Sequence, residues 1–224
     1  MIIKRMKFER IDYIFAAPDN YEKGGKHPVI ILLHGAGTRG TDLDTLEQNP
    51  LFKQCVAHCP DAVIFAPLCM ENSWFNIFER LQDFALYASL QIFSDANRVY
   101  LMGVSMGGYG AWALAMARPE IFAAVVPICG GGMAWNGATL KSMAVWAFHG
   151  KEDRDVYTEE SIHMVERINS YGGNAKLTLY DGVGHNCWDL ALSDDELYDW
   201  LYEQRLTLPE NADEQFGGNP EIYG

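Results

Sequence analysis

The apolar run Arg98-Val99-Tyr100-Leu101-Met102 leads directly into Gly103-Val104-Ser105-Met106-Gly107, and an alanine-rich, helix-forming stretch from Gly108 to Arg118 follows at once. That order reads as a strand, a sharp turn and a helix with a serine at the apex, the context in which a Gly-x-Ser-x-Gly motif presents a nucleophile. The glycines have a mechanical reason: the turn is strained, and a Cβ at Gly103 or Gly107 is expected to collide with neighbouring backbone.

The rest of the chain alternates in the same way. After an antiparallel strand near 11–16, strands are expected near 28–33, 62–67, 98–102, 123–128, 143–148 and 176–180, with helices between them. This pattern predicts an α/β fold, a mostly parallel sheet with helices on both faces. Leu81, Ala85, Ala88 and Ile92 recur at helical spacing, as do Ile162, Val165 and Ile168, and Leu197, Trp200 and Leu201, so these stripes are expected to face the core. Ser193-Asp194-Asp195-Glu196 reads as a capping box opening the last helix. The 224 residues suit one domain over 1–206, and a tail over 207–224 carries Pro209, Gly217, Gly218 and Pro220 among scattered acids.

A serine hydroxyl is a poor nucleophile until a base takes its proton, and the base needs a carboxylate to hold its tautomer and stabilise the imidazolium. Behind an elbow the order is serine, then acid, then histidine, each on a loop after a later strand. The strand at 143–148 runs into His149-Gly150-Lys151-Glu152-Asp153-Arg154-Asp155-Val156, and the strand at 176–180 runs into Asp181-Gly182-Val183-Gly184-His185. His185 is therefore the base. Asp153 ranks first as the acid, because the sheet still holds the loop there. Asp155 comes second, since it adjoins the next helix and could cap it, and Glu152 third. His149 is read as structural, bonding backbone in the acid's loop.

The tetrahedral intermediate needs two backbone N–H donors aimed at its oxyanion. Met106, the residue after the nucleophile, supplies one. The strand Val29-Ile30-Ile31-Leu32-Leu33 runs into His34-Gly35-Ala36-Gly37, which makes Ala36 the second donor, with Gly35 and Gly37 close behind.

The set His-Gly-Ala-Gly, Gly-Val-Ser-Met-Gly-Gly, His-Gly-Lys-Glu-Asp-Arg-Asp-Val and Gly-Val-Gly-His-Asn-Cys-Trp, in this order behind strands, resembles the α/β-hydrolase superfamily over residues 11–205. Within it the chain is similar to the esterase branch of carboxylesterase/phospholipase, dienelactone-hydrolase-like and prolyl-oligopeptidase-like proteins. The resemblance implies Ser105, Asp153 and His185 as triad, Ala36 and Met106 as oxyanion donors, and no cofactor or metal. Dienelactone hydrolases use a cysteine nucleophile where this chain has Ser105, so a small-molecule ester is the expected substrate. A small-peptide serine peptidase is a second reading, although peptidases of this superfamily usually add a gating domain. A non-catalytic ligand receptor on the same fold is a third.

Trp74, Trp188 and Gly35 are candidate pocket residues, because all three fall on loops at the C-terminal edge of the sheet. Only the stretch from Cys129 to Ser142 separates the two strands after the elbow helix, which leaves no room for a lid domain and predicts a short, flexible rim at Gly130-Gly131-Gly132-Met133-Ala134-Trp135. The tail could fold over the site or complete it in a homodimer.

Charge and cysteine usage narrow the setting. Residues 152–224 hold 17 acidic and 4 basic side chains, against 13 of each before them, so the net charge of −13 sits wholly in the last third. Such an acidic margin disfavours polyanions and argues against a nucleic-acid partner. Charge interrupts Met1-Ile2-Ile3-Lys4-Arg5-Met6-Lys7 at once, and no long apolar span exists, so neither a signal peptide nor a membrane anchor is expected. Five scattered cysteines, Cys55, Cys59, Cys69, Cys129 and Cys187, fit a reducing compartment, with the cytoplasm as the expectation.

Overall fold

The computed structural model describes residues 1–23 and 25–206, so the expected tail at 207–224 lies outside the described residues. The strands are β1 (Ile2–Phe8), β2 (Ile11–Ala17), β3 (His27–Leu33), β4 (Val63–Pro67), β5 (Ser94–Val104), β6 (Ala124–Ile128), β7 (Ala144–Gly150) and β8 (Lys176–Tyr180). They form one sheet in the order β1-β2-β4-β3-β5-β6-β7-β8. β2 pairs antiparallel with β1 and β4, and every other pairing is parallel.

Alternation along the strands splits the core into two layers. Val29, Ile31, Leu33, Val145 and Ala147 face one way, where they pack on α3 (Phe78–Ser89), α4 (Met106–Ala117) and α5 (Glu159–Ser170) through Leu81, Trp112 and Ile168. Ile30, Leu32, Trp146 and Phe148 face the other way and meet α1 (Leu43–Glu47), α2 (Pro50–His58), α6 (Trp188–Leu192) and α7 (Asp195–Glu203) through Leu46, Phe52, Ala191 and Leu197. Each large apolar side chain buried this way contributes about 2 kcal/mol. α4 is apolar nearly all round and buried along most of its length, which is what a helix pressed between sheet and neighbours requires.

Four sequence expectations are corrected. Residues 2–8 form an edge strand that the strand reading omits. Lys4, Arg5 and Lys7, whose charges break the apolar run, sit where an edge strand uses charge to discourage further pairing. Ile92 is 90% exposed because α3 ends at Ser89. The last helix is capped by Asp194, whose side chain accepts from the Glu196 N–H, while the Ser193 hydroxyl bonds the Asp189 carbonyl instead. The rim after β6 is packed: a Cβ on Gly130 would come within 2.7 Å of Gly108 Cα, and Ala134–Leu140 coil into a 3-10 helix against α5.

Candidate active site

β5 ends at Val104 and α4 begins at Met106, so one residue makes the whole reversal. Ser105 has φ 56° and ψ −116°, a conformation an L-residue adopts only under constraint. The constraint is visible on both sides. A Cβ on Gly103 would strike the Gly107 carbonyl, and one on Gly107 would strike the Leu33 carbonyl, so only glycine lets helix and strands close in. The Ser105 N–H is fixed on the Ile128 carbonyl at 2.9 Å.

The loops that carry Asp153 and His185 leave the adjacent strands β7 and β8 and are stitched to each other. Lys151 N–H bonds the Tyr180 carbonyl at 3.0 Å and Glu152 N–H bonds the Val183 carbonyl at 2.8 Å. A Cβ on Gly150 would collide with the Gly184 carbonyl, so this crossing too needs glycine. Asp153 is only 5% exposed. Its Oδ1 accepts the N–H groups of Asp155 (2.9 Å) and Val156 (3.0 Å). Its Oδ2 lies 2.7 Å from His185 Nδ1, and His185 Nε2 lies 2.8 Å from Ser105 Oγ. Burial works against the Asp153 charge, but the bonds from His185, Val156 and Asp155 outweigh it and hold the carboxyl below its usual range. The carboxylate therefore accepts a hydrogen bond from His185 Nδ1–H, and Nε2 turns its lone pair to the serine hydroxyl.

Asp155 and Glu152 are exposed, and the Asp155 backbone, not its carboxylate, serves the site. Nor does Asp155 cap the next helix, which is preceded by Thr158. Ligand atoms of Asp153, Asp155 and His185 lie within 4.8 Å of one another, but a cation there would have to displace the Asp153–His185 bond.

On the other side of Ser105, β3 delivers His34 and Gly35, then Ala36 opens a 3-10 turn to Thr38. A Cβ on Gly35 would sit 3.6 Å from that of Ser105, so this loop runs beside the serine. His34 governs it. Its Nε2 accepts the Cys69 N–H at 3.0 Å, which leaves Nδ1–H to donate to the Gly35 carbonyl at 2.7 Å. Burial lowers its pKa to about 4, so the ring is neutral. With the Gly35 carbonyl held on that ring, the trans peptide directs the Ala36 N–H to the opposite side. Met106, in the first turn of α4, likewise has an N–H without an intrahelical acceptor.

The two tryptophans part company. Trp188 is half-buried with its ring against His185. Trp74 is fully buried and donates its indole N–H to the His34 carbonyl at 3.1 Å. It braces the loop after β3 and offers a ligand no surface, which corrects its placement in a pocket. Sequence reasoning passed over His34 and underrated His149, whose Nε2 lies 3.1 Å from Asp153 Oδ2. The available signals were a histidine ahead of the Gly35 turn and another four residues before the acid.

Residues 13–189 match the dienelactone hydrolase family. A probable feruloyl esterase C of Aspergillus oryzae is 28% identical over 169 residues, 72% of this chain and 62% of that protein. The crystal structure of a thermostable esterase, 30% identical, superposes with a TM-score of 0.77 over 91% of this chain and 63% of its own. Est1E from Butyrivibrio proteoclasticus, 15% identical, gives 0.68 over 90% and 98%. The chain spans less than two thirds of the first two relatives. The family match runs through the elbow, the acid loop and His185, and the chain belongs to the dienelactone hydrolase family, on the α/β-hydrolase fold.

Proposed function

We propose that this chain is a serine esterase that hydrolyses carboxylic esters of small soluble molecules through an acyl-enzyme. The observation that carries the reading is the position of His185, 2.8 Å from Ser105 Oγ on one side and 2.7 Å from Asp153 Oδ2 on the other. In this reading Nε2 takes the Ser105 proton as Oγ attacks the ester carbonyl, and Asp153 stabilises the resulting imidazolium. The N–H groups of Ala36 and Met106 bond the oxyanion. Collapse expels the alcohol, which takes the proton from Nε2. Water then attacks the acyl-enzyme with the same base and releases the carboxylic acid. No cofactor or metal enters these steps.

The names of the relatives support ester hydrolysis, and feruloyl esters belong in any substrate panel. No helix among the described residues is long and apolar enough to cross a membrane. The five free, buried thiols fit a cytoplasmic protein. Ser105→Ala is the test. It should lower kcat on p-nitrophenyl acetate by orders of magnitude and abolish labelling by a fluorophosphonate, with the fold unchanged. More than about a tenth of the wild-type kcat in the variant overturns the assignment. Faster turnover of an aminoacyl p-nitroanilide than of the ester would favour a peptidase.

A further inference from the structure

Asp153 Oδ2 serves two histidines. His185 Nδ1 lies 2.7 Å from it and His149 Nε2 3.1 Å, and the same Nε2 lies 3.0 Å from the Val156 carbonyl. His149 is the last but one residue of β7, wholly buried, four residues ahead of the acid. A carboxylate and a carbonyl only accept, so Nε2 must carry a proton that it donates to them. Across the ring, Nδ1 lies 2.7 Å from Ser161 Oγ on α5, and that oxygen lies 3.0 Å from the Gly130 carbonyl. Gly130 in turn rests on the backbone of Gly108 and Tyr109 in the first turns of α4. The ring thus ties the acid's carboxylate, from the side away from solvent, to the helix that carries the elbow.

From this geometry we infer that His149 is a positioning residue of the site, one that aims Asp153 Oδ2 at His185 and withdraws part of its charge. The inference rests on the triad reading above. Its physical content is a competition: each N–H donated to Oδ2 disperses negative charge, so the His149 bond leaves less to stabilise a His185 imidazolium. Such a second donor weakens the pull of the Asp153 carboxylate on the His185 ring. Other groups face the same carboxylate. Tyr109 from α4 and Cys129 from the end of β6 are held neutral, their pKa values raised by burial first of all, and exposed Asp155 adds a charge from the acid's own loop. None of these three side chains has a hydrogen bond to Oδ2 among the described residues.

The measurement is the pH profile of kcat/KM on p-nitrophenyl acetate. In His149→Leu the acid limb should move up by about half a unit to one unit and kcat should fall roughly ten- to a hundredfold, with KM within about twofold. His149→Gln, whose amide nitrogen reaches near the Nε2 position, should return the limb to within about 0.2 units of wild type. A packing role alone would lower stability and leave the limb in place, so an unmoved limb in His149→Leu overturns the inference, as does a limb that Gln fails to restore. The wild-type protein gives a test that needs no variant to fold. In a 15N spectrum at pH 8 the His149 Nε2 must carry the proton, and a bare Nε2 rules the inference out. Activity retained in Ser105→Ala would sink the triad reading itself, whereas an inactive Ser105→Ala beside an unmoved limb removes only the role of His149.

Discussion

The ring of Trp188 stands edge-on to the imidazole of His185, with centroids 5.5 Å apart and planes at 89°. Trp188 opens α6 three residues past the base and packs partly into the core layer on that side of the sheet. Its ring steadies His185 and, in the proposed esterase reading, presents an aromatic surface to the substrate. Trp188→Ala is expected to raise KM for aryl esters by about three- to tenfold, in line with the roughly 0.5–1.5 kcal/mol of an aromatic pair. Acetyl esters should change less. An equal effect on both substrates would reduce Trp188 to packing.

Gly103 and Gly107 should be the least replaceable residues near the elbow. Each would drive a Cβ into a backbone carbonyl, that of Gly107 for the first and of Leu33 for the second. Neither obstacle is a flexible side-chain end, so strands or helix would have to move. Gly107→Ala is expected to cost more than the ~1–3 kcal/mol of ordinary overpacking and to leave little folded protein. Gly37→Ala provides the contrast, because nothing lies within 4 Å of a Cβ there. It should be neutral or stabilising by about 0.5 kcal/mol through the unfolded chain. Urea melts of the two variants settle the point, and similar midpoints would refute the account.

The legible parts of this chain were those where local chemistry and position in the strand order coincide. Ser105, Asp153 and His185 each follow an apolar run at a glycine-rich turn, and all three meet within hydrogen-bond reach. Long-range packing is what a linear reading lacks. Trp74 and Trp188 look alike on paper, both on loops after strands, yet only the tertiary fold decides that one lies under His34 and the other beside His185. β1 stayed hidden because an edge strand with charged outward residues has no apolar signature. His149 bonds Val156 in the acid's loop, as a structural reading expects, but its bond to the carboxylate depends on the loop folding back over four residues.

The two aspartates after β7 should separate cleanly. Asp153 is buried and its carboxylate accepts from His185, His149 and two backbone N–H groups, while the Asp155 side chain is exposed. Asp153→Asn should lower kcat by about 10⁴, since an amide favours the wrong tautomer of the base. Asp155→Asn should change kcat by less than about tenfold, because only its backbone N–H is used and that survives. The reverse ranking would move the acid two residues along the chain.

Acyl length tests the shape of the site. Between β6 and β7 the described chain has only the 3-10 segment Ala134–Leu140, with Gly137 close to Arg167 and Ile168 of α5, and no amphipathic helix that could swing as a cover. Trp135 on that segment is 73% exposed. Esters with acyl chains of about eight carbons or fewer should be preferred, since a methylene beyond the site gains little of the ~0.8 kcal/mol available on burial. Values of kcat/KM from acetyl to palmitoyl p-nitrophenyl esters check this. A maximum at twelve carbons or more, or a jump in rate at the emulsion point, would refute a preference for short acyl chains.

His34 predicts how stability responds to acid. Burial lowers its pKa to about 4 in the folded protein, against about 6.5 in the unfolded chain. Between those values the unfolded chain binds a proton that the folded one refuses, so unfolding takes up a proton and stability falls as the pH drops. The stabilisation is complete above pH 6.5 and lost progressively toward 4, with a total of about 3 kcal/mol for the full shift. Asp153 does not confuse this window, because a depressed carboxyl keeps its contribution above its unfolded value and loses it only at lower pH. His34→Asn can still donate to the Gly35 carbonyl but cannot titrate. It should be less stable than wild type at pH 7, for want of the Cys69 contact, and its stability should change less between pH 6.5 and 4.5. Urea unfolding of both proteins at four pH values across that range measures the two slopes. If they run parallel, His34 is not the group whose protonation opens the fold, and the neutral ring assigned to the oxyanion loop is wrong.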